Sequence, residues 1–272
     1  MLDETSFYNT YAEVDLDRIA HNYKEIKRVI PPGTEMMCIV KADAYGHGAV
    51  EVARVLAEEG TGMLGVATIA EGVELRKAGI DIPVLVLGGI QEQHAGTVVD
   101  YDLSQTVTNK EVIIKLSEYA HSRRKIPKIH IKIDTGLCRL GIRPGEELEA
   151  FLPVLGKYEN VEVEGVYTHF SSSEDADRSF TNLQIERFKS ALKMIDGSGI
   201  KYKYRHCSNS AAVINHPGCN WDFNLIRPGF ILYGYYPAKD HLVNIDIKPA
   251  LQLKTKITYV KTIYPGDSVG YC

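Results

Sequence analysis

At 272 residues, with 24% charged residues and a net charge of -4, the chain can bury one large core or two smaller ones, and it lacks the basic balance of a nucleic-acid binder. No run approaches the ~18 apolar residues that span a bilayer, and Met1-Leu2-Asp3-Glu4-Thr5-Ser6 has neither the basic nor the apolar region of a secretory signal. The cysteines Cys38, Cys138, Cys207, Cys219 and Cys272 are odd in number and show no C-x-x-C spacing, so a reduced, cytoplasmic setting without a metal site is expected.

Residues 1–11 read as a loose lead-in. Ala12 to Leu16 alternates like a strand, and Asp15 or Asp17 then caps a helix whose Ile19, Tyr23, Ile26 and Ile30 form one apolar face, stopped by Pro31-Pro32-Gly33. Eight strand-like runs follow, at 38–40, 63–67, 84–87, 103–107, 129–133, 161–167, 202–206 and 225–231. Helical patterns separate them at 49–59, 70–78, 110–121, 148–155 and 180–195; in the last, Phe180, Leu183, Phe188, Leu192 and Ile195 line one side. Eight strands alternating with helices match a (β/α)8 barrel of the TIM type. A doubly wound sheet is the alternative, weakened because no Gly-x-Gly-x-x-Gly turn follows the first of these strands. The barrel is expected over 12–234. Beyond a connection, Leu251 to Val260 alternates with period two and Pro265-Gly266-Asp267 is a turn, so 247–272 reads as the start of an all-β domain.

Barrel enzymes carry their sites at the C-terminal ends of the strands. Lys41 ends the first of the eight runs, with Tyr45 just beyond. A lysine desolvated there can form a Schiff base with a carbonyl, which is how pyridoxal phosphate is held. The fifth strand leads into a glycine-flanked Arg139, the sixth into Thr168-His169-Phe170, the seventh into Cys207-Ser208-Asn209-Ser210, and the eighth carries Arg227-Pro228-Gly229-Phe230. Ser208, Asn209 and Ser210 fit helix capping and anion binding alike. Ser210, with the Gly229 and Phe230 backbone and the Tyr45 hydroxyl, makes a candidate phosphate clamp after strands seven and eight, beside the candidate cofactor-binding Asn209.

Val-Lys-Ala-Asp-Ala-Tyr-Gly-His-Gly at 40–48, Gly-Leu-Cys-Arg-Leu-Gly at 136–141, Thr-His-Phe at 168–170, Asn-Ser-Ala-Ala at 209–212, Arg-Pro-Gly at 227–229 and Pro-Gly-Asp-Ser-Val-Gly-Tyr at 265–271 resemble, in order, the alanine racemases. The resemblance implies a pyridoxal phosphate enzyme that interconverts L- and D-alanine for peptidoglycan synthesis, acting as a head-to-tail homodimer. It makes Lys41 the Schiff-base lysine and one catalytic base, and Tyr271 the second base, serving the other subunit's site. Arg227 would face the pyridine nitrogen, and His169 would position the tyrosine through Arg227. Arg139 would bond the cofactor's phenolic oxygen and the substrate carboxylate. Lys132 aligns with a lysine that is carbamylated in some members. The family pattern continues past Tyr271, so the resemblance implies a chain truncated within its β-domain. Leu137-Cys138 stands where Met-Gly is frequent. The other readings are a pyridoxal phosphate-binding barrel with little turnover and a related racemase acting on serine. An amino acid decarboxylase is disfavoured by Arg227, and a single-domain carrier protein by 247–271.

Overall fold

The computed structural model describes residues 7–271; Cys272 and the hexapeptide weighed as a signal lie outside the described residues. After β1 (Thr10–Val14), eight strands run parallel: β2 (Glu35–Ile39), β3 (Met63–Val66), β4 (Val84–Val86), β5 (Ser104–Val107), β6 (Lys128–Lys132), β7 (Glu162–Tyr167), β8 (Tyr204–His206) and β9 (Leu225–Ile226). Their order is β8-β7-β6-β5-β4-β3-β2-β9. The ring closes where Asn209 bridges Arg227 in parallel and the Arg227 N–H donates to Ser208 O at 2.9 Å. The expected (β/α)8 architecture is therefore present.

Alternation along each strand sorts side chains between two apolar clusters. Met36, Cys38 and Val40 face the helices, whereas Met37 and Ile39 point into the barrel with Met63, Leu85, Tyr204 and Leu225. In β6 the same alternation sends Ile129 and Ile131 outward to the larger cluster and leaves His130 and Lys132, both buried, to the polar interior. The barrel is thus apolar over part of its lumen and polar over the rest, and the polar part carries the residues discussed below.

Several boundaries differ from the sequence reading. The lead-in is shorter, because Thr10 and Tyr11 belong to β1. The first helix (Leu16–Val29) starts one residue after Asp15, whose carboxylate accepts from the Arg18 N–H at 3.2 Å. The run 225–231 is strand only to Ile226; Gly229-Phe230 then turns into a 3-10 segment, Phe230–Tyr233. Phe180 and Leu183 do not line the inner side of their helix (Ser179–Gly197): they are 38% and 43% exposed, and Thr181 and Gln184 are buried instead. The reason is polar. Gln184 reaches over the barrel rim, donating to Thr135 Oγ1 and His169 O at 3.2 Å and accepting from the Ser171 N–H at 3.1 Å.

The alternating run after residue 250 is strand only over β10 (Leu251–Thr255), which pairs antiparallel with β1 from Thr10↔Thr255 to Val14↔Leu251. Leu253 within it and Ile257, Tyr259 and Val260 beyond it stand at least 75% exposed.

Candidate functional site

Lys41 follows the fully buried Val40 and opens the segment Lys41–Gly46, which winds the opposite way to an ordinary helix: Ala42, Asp43, Ala44 and Tyr45 take φ of 51, 53, 52 and 54°. Left-handed backbone costs roughly 1–2 kcal/mol per non-glycine residue. Hydrogen bonds offset it. The Ala44 N–H donates to Val40 O at 2.9 Å, and Asp43 Oδ1 accepts from the Ala49 N–H at 2.7 Å, starting the next helix. Glu71 accepts from the N–H groups of Ala42 (2.7 Å), Ala67 (2.6 Å) and Thr68 (3.0 Å), tying the lysine turn to the end of β3. The turn brings Tyr45 back so that its ring centre lies 5.8 Å from Lys41 Nζ. Burial, then the nearby Arg139 charge, push the Lys41 amine below its ordinary value, with Glu71 opposing.

Ser210 and Gly229 meet on the other side of Tyr45. Asn209 caps the short helix Ser210–Asn215 by accepting from the Ala212 N–H at 2.9 Å, and Ser210 Oγ accepts from the Gly229 N–H at 2.8 Å. A Cβ on residue 229 would stand 3.1 Å from the Tyr45 hydroxyl, so glycine keeps this cradle open. Phe230, 54% exposed, has its ring 5.6 Å from that of Tyr45.

Arg227 is buried at the mouth. Nη1 donates to His206 Nδ1 at 2.8 Å; Nη2 donates to Thr168 O (2.8 Å), Cys207 O (2.9 Å) and His169 Nδ1 (3.3 Å). Burial lowers it to about 10, so it stays charged at neutral pH. His169 is held well below its ordinary value by burial and then by the Arg227, Lys132, Arg139 and Lys41 charges, so it is neutral. Lys132 lies 4.2 Å above the Tyr167 ring, and among the described residues it forms no ion pair. Burial, then Arg227 and Arg139, lower its amine well below the usual range.

Arg139 sits on an exposed loop that Asp134 pins by accepting from the N–H groups of Gly136 (2.9 Å) and Cys138 (3.1 Å). Gly141, at φ 135°, has no room for a Cβ, which would stand 2.6 Å from the Asp134 nitrogen. A cleft of about 330 Å³ beside this loop is lined by Asp134, Thr135, Gly136, Cys138, Arg143, Pro144 and Arg187; it reaches neither Lys41 nor Arg227.

The structure thus brings Lys41, Tyr45, Ser210, Gly229 and Phe230 into one set of contacts and Asn209, Arg227 and His169 into an adjoining one. Tyr271 is fully exposed and touches none of them. Glu71, His206 and Tyr167 were not singled out from the sequence. In β8 the side chains of Tyr204, Arg205 and His206 run buried, exposed, buried, and the charged Arg205 between two rings was the sequence sign that His206 faces inward.

A closed parallel barrel gathering an amine, arginines and a serine–glycine pair at its C-terminal mouth has the form of a barrel enzyme. Residues 14–237 match the model of the alanine racemase N-terminal domain. The alanine racemase of Methanococcus maripaludis is 40% identical over 262 residues, 96% of this chain and 70% of that protein. That of Carboxydothermus hydrogenoformans is 44% identical over the same length. Among solved structures, Clostridium difficile alanine racemase in complex with cycloserine superposes with a TM-score of 0.90 at 35% identity, over 94% of this chain and 70% of that one. The Bacillus anthracis enzyme with bound L-Ala-P gives 0.89 at 36% identity, over 97% and 69%. The chain belongs to the alanine racemase family, isomerases that depend on pyridoxal phosphate.

Proposed function

We propose that the chain binds pyridoxal phosphate at the mouth of its barrel and racemises alanine by two bases on opposite faces of the substrate. The observation that carries this reading is the convergence of the Lys41 amine and the Ser210–Gly229 cradle around Tyr45, with the buried Arg227 adjoining through its bridge to Asn209. The open space that glycine leaves at 229, bordered by the Tyr45 phenol and by the Ser210 hydroxyl that the Gly229 N–H holds in place, fits a phosphate. Bound there, pyridoxal phosphate would supply the electron sink for the pair left when the alanine α-proton departs.

Lys41, with its lowered amine, is suited both to hold the cofactor carbonyl and to take or return the α-proton on one face. Arg227 can only donate, so it would leave the pyridine nitrogen unprotonated and the sink weak, which disfavours transamination. Its bond to His169 holds that imidazole, which would in turn position the tyrosine base. Arg139 would hold the substrate carboxylate, and Lys132, if carbamylated, would orient Arg139. Burial and the neighbouring arginines lower the Lys132 amine, which favours the unprotonated form that carbamylation requires. Tyr271 would act in the site of a second subunit in a head-to-tail homodimer, with β1 and β10 opening the second domain. We place the enzyme in the cytoplasm; no helix among the described residues is long and apolar enough to cross a membrane.

The exposure of Tyr271 favours one second reading, a cofactor-bound barrel that exchanges the alanine α-proton without inverting it. Incubating L-alanine and L-serine with the holoprotein in deuterated water separates the readings. Deuterated D-alanine supports racemisation, deuterated L-alanine alone supports the second reading, and product from serine alone would sink the assignment of alanine.

A further inference from the structure

Beneath Arg227 a line of buried polar side chains runs down the barrel lumen. His206 Nε2 lies 2.9 Å from His130 Nδ1, and His130 Nε2 lies 3.1 Å from Glu164 Oε2. The same oxygen accepts from Ser104 Oγ at 2.9 Å, while Glu164 Oε1 lies 3.3 Å from Lys128 Nζ. His130 and His206 are wholly buried, and Glu164 is 6% exposed. The side chain of Lys128, at the start of β6, is 44% exposed, so the line spans from the reactive mouth to the opposite end of the barrel.

The chemistry of its two ends sets the direction of every bond. A guanidinium only donates and a carboxylate only accepts. His206 Nδ1 must therefore be bare towards Arg227, its Nε2–H must donate to a bare His130 Nδ1, and His130 Nε2–H must donate to Glu164. A second proton on either ring would set donor against donor. Both imidazoles are consequently neutral, in agreement with burial holding both below the ordinary value. The rings are also clamped. Tyr167 stacks on His206 at 4.7 Å and 3° between planes, and Tyr204 stacks on His130 at 6.2 Å and 18°. Gly165 admits the His130 ring against the backbone, since a Cβ there would lie 2.5 Å from Nδ1.

We propose that Glu164 is a positioning residue for Arg227, acting through the neutral His130 and His206: it closes the chain of hydrogen bonds that aims the guanidinium. None of these three residues touches the reacting atoms. The proposal rests on the reading of Arg227 as the cofactor's ring partner only for its kinetic consequence; the chain itself is independent of it.

The test uses holoprotein with 15N-labelled histidine, as wild type and as Glu164→Leu, Glu164→Gln and Ser104→Ala. Wild type should show both rings neutral with the proton on Nε2. Glu164→Leu leaves the His130 N–H without an acceptor, and the His206 signals should move along with those of His130. Glu164→Gln can still accept from His130 through its amide oxygen, so it should keep the same tautomers with smaller shifts. In Glu164→Leu the kcat for alanine should fall by about tenfold, the worth of one buried hydrogen bond, with KM unchanged. It should regain most of that loss in Glu164→Gln. Ser104→Ala, which loses only a side donor, guards against misfolding and should give a small shift of the same sign. An imidazolium at either ring, or His206 signals that stay fixed when Glu164 is changed, would overturn the proposal. Shifts at His206 with a cofactor absorbance indifferent to Arg227→Lys would support the chain and contradict, separately, the placing of Arg227 at the cofactor.

Discussion

The lowered Lys41 amine follows from where β2 ends: burial and the Arg139 charge make its ammonium unfavourable, and Glu71 only partly compensates. The folded amine titrates below 10.5, the value of a free lysine, so the unfolded chain binds the extra proton between the two values. Folding stability contributed by this group therefore rises with pH across that window. The rate at which the apoprotein captures pyridoxal phosphate, followed by absorbance, should rise with a midpoint below 10.5, and Arg139→Gln should move that midpoint upward. Ser210→Ala should weaken cofactor binding roughly ten- to hundredfold, because a hydrogen bond to a charged group contributes about 1.5–3 kcal/mol. Equilibrium titration of the apoprotein measures it. Lys41, Arg139, Ser210 and Arg227 were legible in the sequence because each stands in a short motif at a strand end. Glu71 was not: its bond to the Ala42 N–H joins residues 29 apart, and no local pattern announces that pairing.

At the scale of elements, the eight parallel strands were readable because each is a short apolar or alternating run bounded by turn residues. The left-handed turn at 42–45 was not, since alanine and tyrosine carry no preference for it, aspartate favours it only as a single residue, and the hydrogen bonds around it hold the run. The start of the helix at 179–197 misled for a related reason. Periodicity placed Phe180 and Leu183 inward, whereas the rim presents Thr135, His169 and Ser171, which only a polar residue such as Gln184 can satisfy. Within β7, Gly165 lets the His130 ring lie against the backbone. Gly165→Ala should destabilise the fold by about 1–3 kcal/mol through overpacking, measured by denaturant unfolding. It should also perturb the His130 ring signals, because no smaller shift relieves a 2.5 Å approach to Nδ1.

On the scale of the whole molecule, the barrel closes on itself, while β1 and β10 form a separate two-stranded sheet with an exposed apolar segment following it. Everything proposed to hold the cofactor comes from the barrel; the second base is proposed to come from the other side of a subunit boundary. Tyr271→Phe should therefore leave cofactor absorbance intact while abolishing inversion, with α-proton exchange persisting on the Lys41 face. Chiral analysis of alanine recovered from deuterated water reads both. The central claim is that the strand ends converge on Lys41 as the cofactor's anchor. Borohydride reduction of the chain loaded with pyridoxal phosphate, followed by peptide mass mapping, tests it most directly. The account predicts one pyridoxyl group, on the peptide carrying Lys41. A label on Lys132 or any other lysine, or no label at all, would contradict it.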